Sequence, residues 1–267
     1  MTSTIPDLAG EWREWHARRE RELAALHGWL SITALHRLTE QPGEFPDVPG
    51  RWSATEDGVV LTASAADELV VPTVREARLI DGTVRLHPVD GRPGTMVGAG
   101  RRTIEVVRRG AVHALRVRDP EAPARAAFTG VPAFPVDARW LVPALFVPYP
   151  QPRRCTVDAS LGDAHGIPCV RTAVGEVRLE IDGREHSLVA FAGTDDALVL
   201  HFRDRTSGVS TFAGGRELVV PRPVGPVLTV DLNRVINPPW AFTPFATRTE
   251  VPPGNVLDVA VEAGERV

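Results

Sequence analysis

The sequence contains no lysine: all thirty of its basic residues are arginine. That absence excludes Schiff-base chemistry, attachment of pyridoxal phosphate and the lysine of a phosphate-binding P-loop. Any anion held by side chains must be held by guanidinium forks. Tyrosine is nearly absent too, with a single residue at 149, and the only three asparagines are Asn233, Asn237 and Asn255. The two cysteines, Cys155 and Cys169, are too few for a disulfide framework and read as buried small hydrophobes in a reducing compartment. No apolar run approaches the length of a membrane span, and the first ten residues lack the basic start and apolar core of a signal peptide. The expected location is therefore the cytoplasm. Net charge is −4 without long runs of either sign, so no basic face for nucleic acid is expected.

Familiar catalytic signatures are also missing. There is no His-x-Asp or His-x-Glu, no His-Glu-x-x-His, and no Gly-x-Ser-x-Gly elbow. Gly98-Ala99-Gly100 reads as a turn, and Asp163-Ala164-His165 offers two metal ligands with no evident third. The expectation is a protein without metal or other cofactor.

What is present is a β texture. One helix is expected at the start, with Leu8, Trp12, Trp15, Arg19, Leu23 and Leu26 on one face, Asp7 as its cap and Gly28 as its stop. Residues 29–38 read as helix or strand, with strand preferred. From Arg51 onward short apolar runs alternate with Gly, Pro and Asp, and Asp81-Gly82, Arg109-Gly110 and Asp182-Gly183 mark hairpins. A proline-rich stretch from Pro120 to Pro152 argues against long central strands there. The fold expected is mostly β: a barrel or barrel-like sandwich of about a dozen short strands with one N-terminal α-helix. It forms a single domain over 1–267, with a two-lobe split near 150 left open.

Polar chemistry concentrates late. Asp231 and Asn233 would share a face of a strand, Asn237 precedes two prolines, and Asp204 and Thr206 lie just before Gly214-Gly215-Arg216. As a site, these residues supply Asp204 or Asp231 as acid or base and Asn233 and Asn237 as hydrogen-bond donors. Arg125 and Arg216 would clamp an anion, with Thr206 and Asp137 in support. As structure, the same residues stabilise turns and internal ion pairs. Both readings stand at this point.

These residues carry a resemblance. Phe202-Arg203-Asp204-Arg205-Thr206-Ser207-Gly208, Gly215-Arg216 and Asp231-Leu232-Asn233-Arg234 through Asn237-Pro238-Pro239 to Ala246-Thr247 resemble the bacterial domain-of-unknown-function family 1684 (DUF1684). Gly28-Trp29-Leu30-Ser31, Arg125, Phe128 and Phe134-Pro135-Val136-Asp137 add to it. The resemblance implies no activity. It implies cysteine where this chain has Trp240 and Arg248, and tyrosine near Phe212 and at Phe245, so thiol or phenol chemistry there is lost. The expected function is a non-redox enzyme, an isomerase, cyclase or hydrolase, acting on a polar or anionic small molecule in a β-barrel pocket. The alternatives are a non-catalytic binding module and a scaffold presenting Trp12 and Trp15.

Overall fold

The computed structural model describes residues 7–72 and 76–267. Helix α1 (Leu8–Leu23) begins at Asp7, whose carboxylate accepts the Gly10 N–H at 2.9 Å. It ends five residues before Gly28, so Leu26 lies beyond it and is exposed rather than part of its apolar face. The ambiguous stretch resolves into both elements, a 3-10 turn at Trp29–Ser31 running into a strand.

Among the described residues seventeen strands follow, more than the dozen expected because several short edge segments pair. The first ten are β1 (Ile32–Arg37), β2 (Gly43–Phe45), β3 (Val48–Thr55), β4 (Gly58–Ala63), β5 (Leu69–Pro72), β6 (Ala77–Leu79), β7 (Gly82–Leu86), β8 (Thr95–Ala99), β9 (Arg102–Arg109) and β10 (Val112–Arg118). They form a six-stranded sheet, β1-β10-β9-β8-β5-β6, and a four-stranded sheet, β2-β3-β4-β7, which share one core around Trp52, Leu61, Leu69, Ile104 and Leu115. Asp81-Gly82 does not make the expected hairpin: β6 pairs with β5 and β7 pairs with β4. Ile80 is buried between them, and the Gly82 backbone (φ +107°) turns the chain from one sheet to the other. Arg109-Gly110 and Asp182-Gly183 do close hairpins, the second with φ of +50° and +72°, which a type I′ turn requires.

After a short helix α2 (Pro123–Ala126) come β11 (Leu141–Leu161), β12 (Ala164–Ile181), β13 (Arg184–Ala192), β14 (Ala197–Phe202), β15 (Arg216–Pro221), β16 (Val227–Asp231) and β17 (Arg248–Thr249). They build a seven-stranded, nearly closed barrel-like sheet, β15-β14-β13-β12-β11-β16, with β17 beside β11. Its core is separate, packed from Phe146, Val177, Leu200, Phe202, Leu218 and Val230 on the inner face. The buried residues of the first core end at Val117 and those of the second begin at Trp140, and a smaller cluster, Val107 and Ala114 with Ala159, Leu161, Ala164 and Ile167, packs β9 and β10 against β11 and β12.

The prolines did not prevent a long strand. Phe146 still donates its N–H to Pro226, but the pairing with β16 ends there. Pro148 and Pro150, two and four residues on, turn their missing N–H the same way, past the end of β16, where no partner is lost.

The inner face of this sheet is closed by an extended strap, residues 255–267. Leu257, Val259, Val261 and Ala263 point inward and are buried, alternating with exposed residues. Asn255 anchors it. Its side-chain amide accepts from Val189 N–H at 2.8 Å and donates to the carbonyls of Val189 and His201, each at 3.0 Å. An asparagine amide here substitutes for a peptide group between β13 and β14, whose own pairing stops at Phe191 and Val199. The two cysteines lie on facing strands as free, half-buried thiols, less covered than the sequence suggested.

Candidate functional site

The polar residues singled out by the sequence serve the fold at three places. The first is the strap. Asp204 is buried and its Oδ1 accepts from Thr206 N–H at 2.8 Å and Thr206 Oγ at 2.6 Å. Its Oδ2 meets Nη2 of Arg216 at 2.9 Å. Arg216 is fully buried and donates to the carbonyls of Val261, Ala263 and Glu265. This corrects its reading as an anion clamp: both terminal nitrogens already hold the strap and Asp204. Gly215 precedes it at φ +87°, and a Cβ there would lie 2.6 Å from Val251 and 2.8 Å from the Phe202 carbonyl, so glycine is required at that turn.

The second is a loop junction. Asp231 ends β16 and caps the next 3-10 turn, accepting from Asn233 N–H at 3.1 Å, so the two residues do not share a strand face. Asn233 is buried and exchanges hydrogen bonds with the backbone of Asp137, both at 3.1 Å. Arg234 pairs with Asp231 at 3.1 Å. Asn237 receives the Glu265 carboxylate on its backbone N–H at 2.6 Å and donates its amide to Arg266. Burial raises the Glu265 pKa, against the pull of Arg19 at 3.3 Å. The third is Arg125, which donates to the carbonyls of Ala24 and Pro120, both at 2.7 Å, and ties down the end of α1. It too is corrected from clamp to fastener.

A different cluster lies on the outer face of the same sheet. Leu198, Leu200 and Phe202 point into the core from β14, as do Leu218 and Val220 from β15. By alternation His201 and Glu217, a direct cross-strand pair, point outward. His201 is fully buried even so, with the Trp240 ring edge-on at 5.6 Å and the Gly214 carbonyl 3.3 Å from Nε2. That contact assigns the ring proton to Nε2 and leaves Nδ1 as a buried acceptor; neither it nor Trp240 Nε1, a buried donor, has a hydrogen-bond partner among the described residues. Burial, then the charge of Arg171, brings the His201 pKa down to about 4, against the Gly214 contact. The ring is neutral throughout the physiological range.

Glu217 is half-buried, and its carboxyl makes no hydrogen bond or ion pair with a described residue. Burial raises its pKa, opposed by Arg171 and Arg19 at longer range. Arg171 is equally uncommitted: its guanidinium stacks on the buried Phe191 ring, 4.3 Å from the centroid, and has no hydrogen-bond partner among the described residues. A carboxyl, a neutral imidazole and a guanidinium thus share one face, with hydrogen-bonding capacity left over on each. Such a set can take up a proton, accept from a donor and hold an anionic oxygen.

His201 and Glu217 each adjoin a residue of the sequence motifs, Phe202 and Arg216. The apolar alternation already placed 201 and 217 opposite the core; it carried no sign that Trp240 and α1 would cover them. Of the two positions where the family resemblance implies cysteine, Trp240 roofs His201, and Arg248 is exposed beside Glu250.

Residues 126–266, more than half of the 267, match the family described as "Protein of unknown function (DUF1684)". The match spans the seven-stranded sheet and leaves the other two sheets outside it. Among solved structures, the chain is similar to the solution NMR structure of an uncharacterised protein from gene locus rrnAC0354 of Haloarcula marismortui. Identity is 28% over 54% of this chain and 79% of that one, at a TM-score of 0.43. No curated protein matches.

Proposed function

Given that the chain belongs to the DUF1684 family, whose description carries no activity, we propose from the site that it is an enzyme moving a proton on a small polar or anionic organic molecule. Isomerisation, cyclisation and hydrolysis are the classes this chemistry serves. The observation that supports the reading is Glu217, a half-buried carboxyl with a raised pKa and no hydrogen-bond or ion-pair partner among the described residues, directly across from buried His201. A carboxyl moved toward neutrality is suited to general acid–base work. Arg171 offers free donors on the same face for an anionic group, or for the charge that develops as the proton leaves. His201 remains neutral and does not compete for the proton.

Glu217 takes a proton from one substrate atom and returns it at another, so isomerisation or cyclisation needs no second reactant; hydrolysis adds one water. No cofactor enters this reading. The cytoplasm is its setting, a placement supported by the two free thiols. No described helix is long and apolar enough to cross a membrane.

The test is a thermal-shift screen against small organic acids, amides and hydroxy acids, with conversion of each hit followed by NMR. A native-state ligand raises the melting temperature with its affinity and concentration. Glu217→Gln is expected to keep binding and lose conversion by about 100-fold or more, and Arg171→Met to weaken anionic hits. Conversion and binding unchanged in both variants overturn the proposal. A ligand that binds at this site and is never converted makes the protein a carrier or sensor.

A further inference from the structure

The outer face does not end at Glu217. Two residues along β15, on the same face and so about 7 Å away, stands Val219, a large hydrophobic residue left 55% exposed. It forms the floor of a crevice of about 540 Å³ between the sheet and α1. Trp15, Arg18, Arg19 and Glu22, at helix spacings of three and four, make one wall; Ile236 makes part of the other. Two contacts join this crevice to the candidate site. Ile236 exchanges both backbone hydrogen bonds with Glu217, at 2.9 and 2.8 Å, and Arg19, which lines the crevice, acts electrostatically on the Glu217 carboxyl. The polar cluster and the apolar trough are consecutive stretches of one surface.

The charges around the trough do not select a sign. Arg19 is matched by Glu265 and Arg234 by Asp231, while Arg18, Glu22 and Asp195 stand at the rim as a mixed set. Selectivity there comes from shape and apolar contact, on Trp15, Val219 and Ile236. Charge selectivity comes one step away, at Arg171.

We infer that the ligand is an amphiphile: a carboxylate or similar anionic head at Arg171 and Glu217, carried on an aliphatic or aryl body that lies along Trp15, Val219 and Ile236. The inference rests on the proposed proton-transfer site for its head group; the body is argued from the crevice alone. The volume is in the range that holds a whole small organic ligand. A molecule consisting of the head alone would leave Val219 uncovered.

The probes are straight-chain carboxylates from acetate to octanoate, titrated calorimetrically into the full chain. Each added methylene that reaches the trough is expected to tighten binding about fourfold, the ratio equivalent to about 0.8 kcal/mol per buried CH₂. Val219→Asp, at an exposed position, is expected to abolish the chain-length dependence, while the charge it adds near the head group weakens all members, the shortest included, by a common factor. Arg171→Met is expected to weaken every member by a similar factor. Binding without chain-length dependence, chain-length dependence that survives Val219→Asp, or no binding by any member overturns the inference. Chain-length dependence that Val219→Asp removes, with affinities that Arg171→Met leaves unchanged throughout the series, upholds the trough and overturns the head group at Arg171, while the proposed function is decided separately by the conversion lost or kept in Glu217→Gln.

Discussion

Replacing Arg216 by methionine separates a fastener from a ligand clamp. The substitution removes a fully buried guanidinium and leaves the Asp204 carboxylate in the core with its Oδ2 unmatched. Removing one member of a buried pair costs about 3–5 kcal/mol. The carbonyls of Val261, Ala263 and Glu265 lose their donor as well, and an unsatisfied buried group costs about 1–3 kcal/mol. These contributions overlap, since a released strap can hydrate, so the expected loss is about 4 kcal/mol or more, a large part of an ordinary domain's 5–15 kcal/mol. In urea, with a slope of about 2–3 kcal/mol per molar, the midpoint falls by about 1.5 M. The double variant Asp204→Leu/Arg216→Met removes both charges and is expected to recover about 1–4 kcal/mol. A single variant within about 1 kcal/mol of the parent refutes the reasoning, and a parent-like fold that has lost ligand binding restores the clamp.

Four further outcomes follow from the same geometry. His201 holds its pKa at about 4 in the folded state against 6.5 unfolded, so the unfolded chain takes up the proton first as pH falls. Stability is whole above 6.5 and declines between 6.5 and about 4, by about 3 kcal/mol at 1.36 kcal/mol per unit. His201→Leu flattens that part of a denaturation–pH curve, and an unchanged slope refutes the assignment. Glu217→Gln is expected to hold or raise the melting temperature at pH 7, because it removes a half-buried carboxyl that has no partner among the described residues; a fall of several degrees would show a hidden structural role. Gly215→Ala forces a side chain into a backbone at φ +87° and against Val251, with an expected loss of about 1–3 kcal/mol measured by chemical denaturation. Arg125→Ala is expected to cost about 1–2 kcal/mol through the freed carbonyls of Ala24 and Pro120, and to leave ligand titrations unaltered.

Much of the fold was legible because two local rules are strong. Alternating apolar residues with Gly and Asp turns mark strands such as β9, β10, β12 and β13, and the helix carries its own cap in Asp7. What was not legible depends on partners distant in sequence. Asp81-Gly82 has the chemistry of a hairpin and serves a sheet crossing, because the choice between β6 and β4 as a neighbour for β7 is made by the shared core. The site shows the same limit within two adjacent residues. Leu218 and Val220 fix the parity of β15, so Arg216 had to face the core and Glu217 the outside. Charge drew attention to the arginine, while the surroundings that give the glutamate its chemistry come from β12, β14 and α1.

The strap sets an order for the making of the protein. The first core draws only on residues 34–117, so it can condense once that stretch has left the ribosome, although Val107 and Ala114 on β9 and β10 wait for Ala159, Leu161, Ala164 and Ile167 to cover them. The second core has no such freedom. The sheet over it begins at Leu141, but Leu257, Val259, Val261 and Ala263 complete it, and the Asn255 amide that seats them reaches back 66 residues to Val189. Until those residues are made, Leu200, Phe202 and Val230 line an open trough, and Arg216 remains hydrated. Contacts that far apart in sequence form slowly. A chain stopped short of residue 255 presents a folded first half joined to an uncovered apolar sheet, which is the surface that chaperones and proteases recognise.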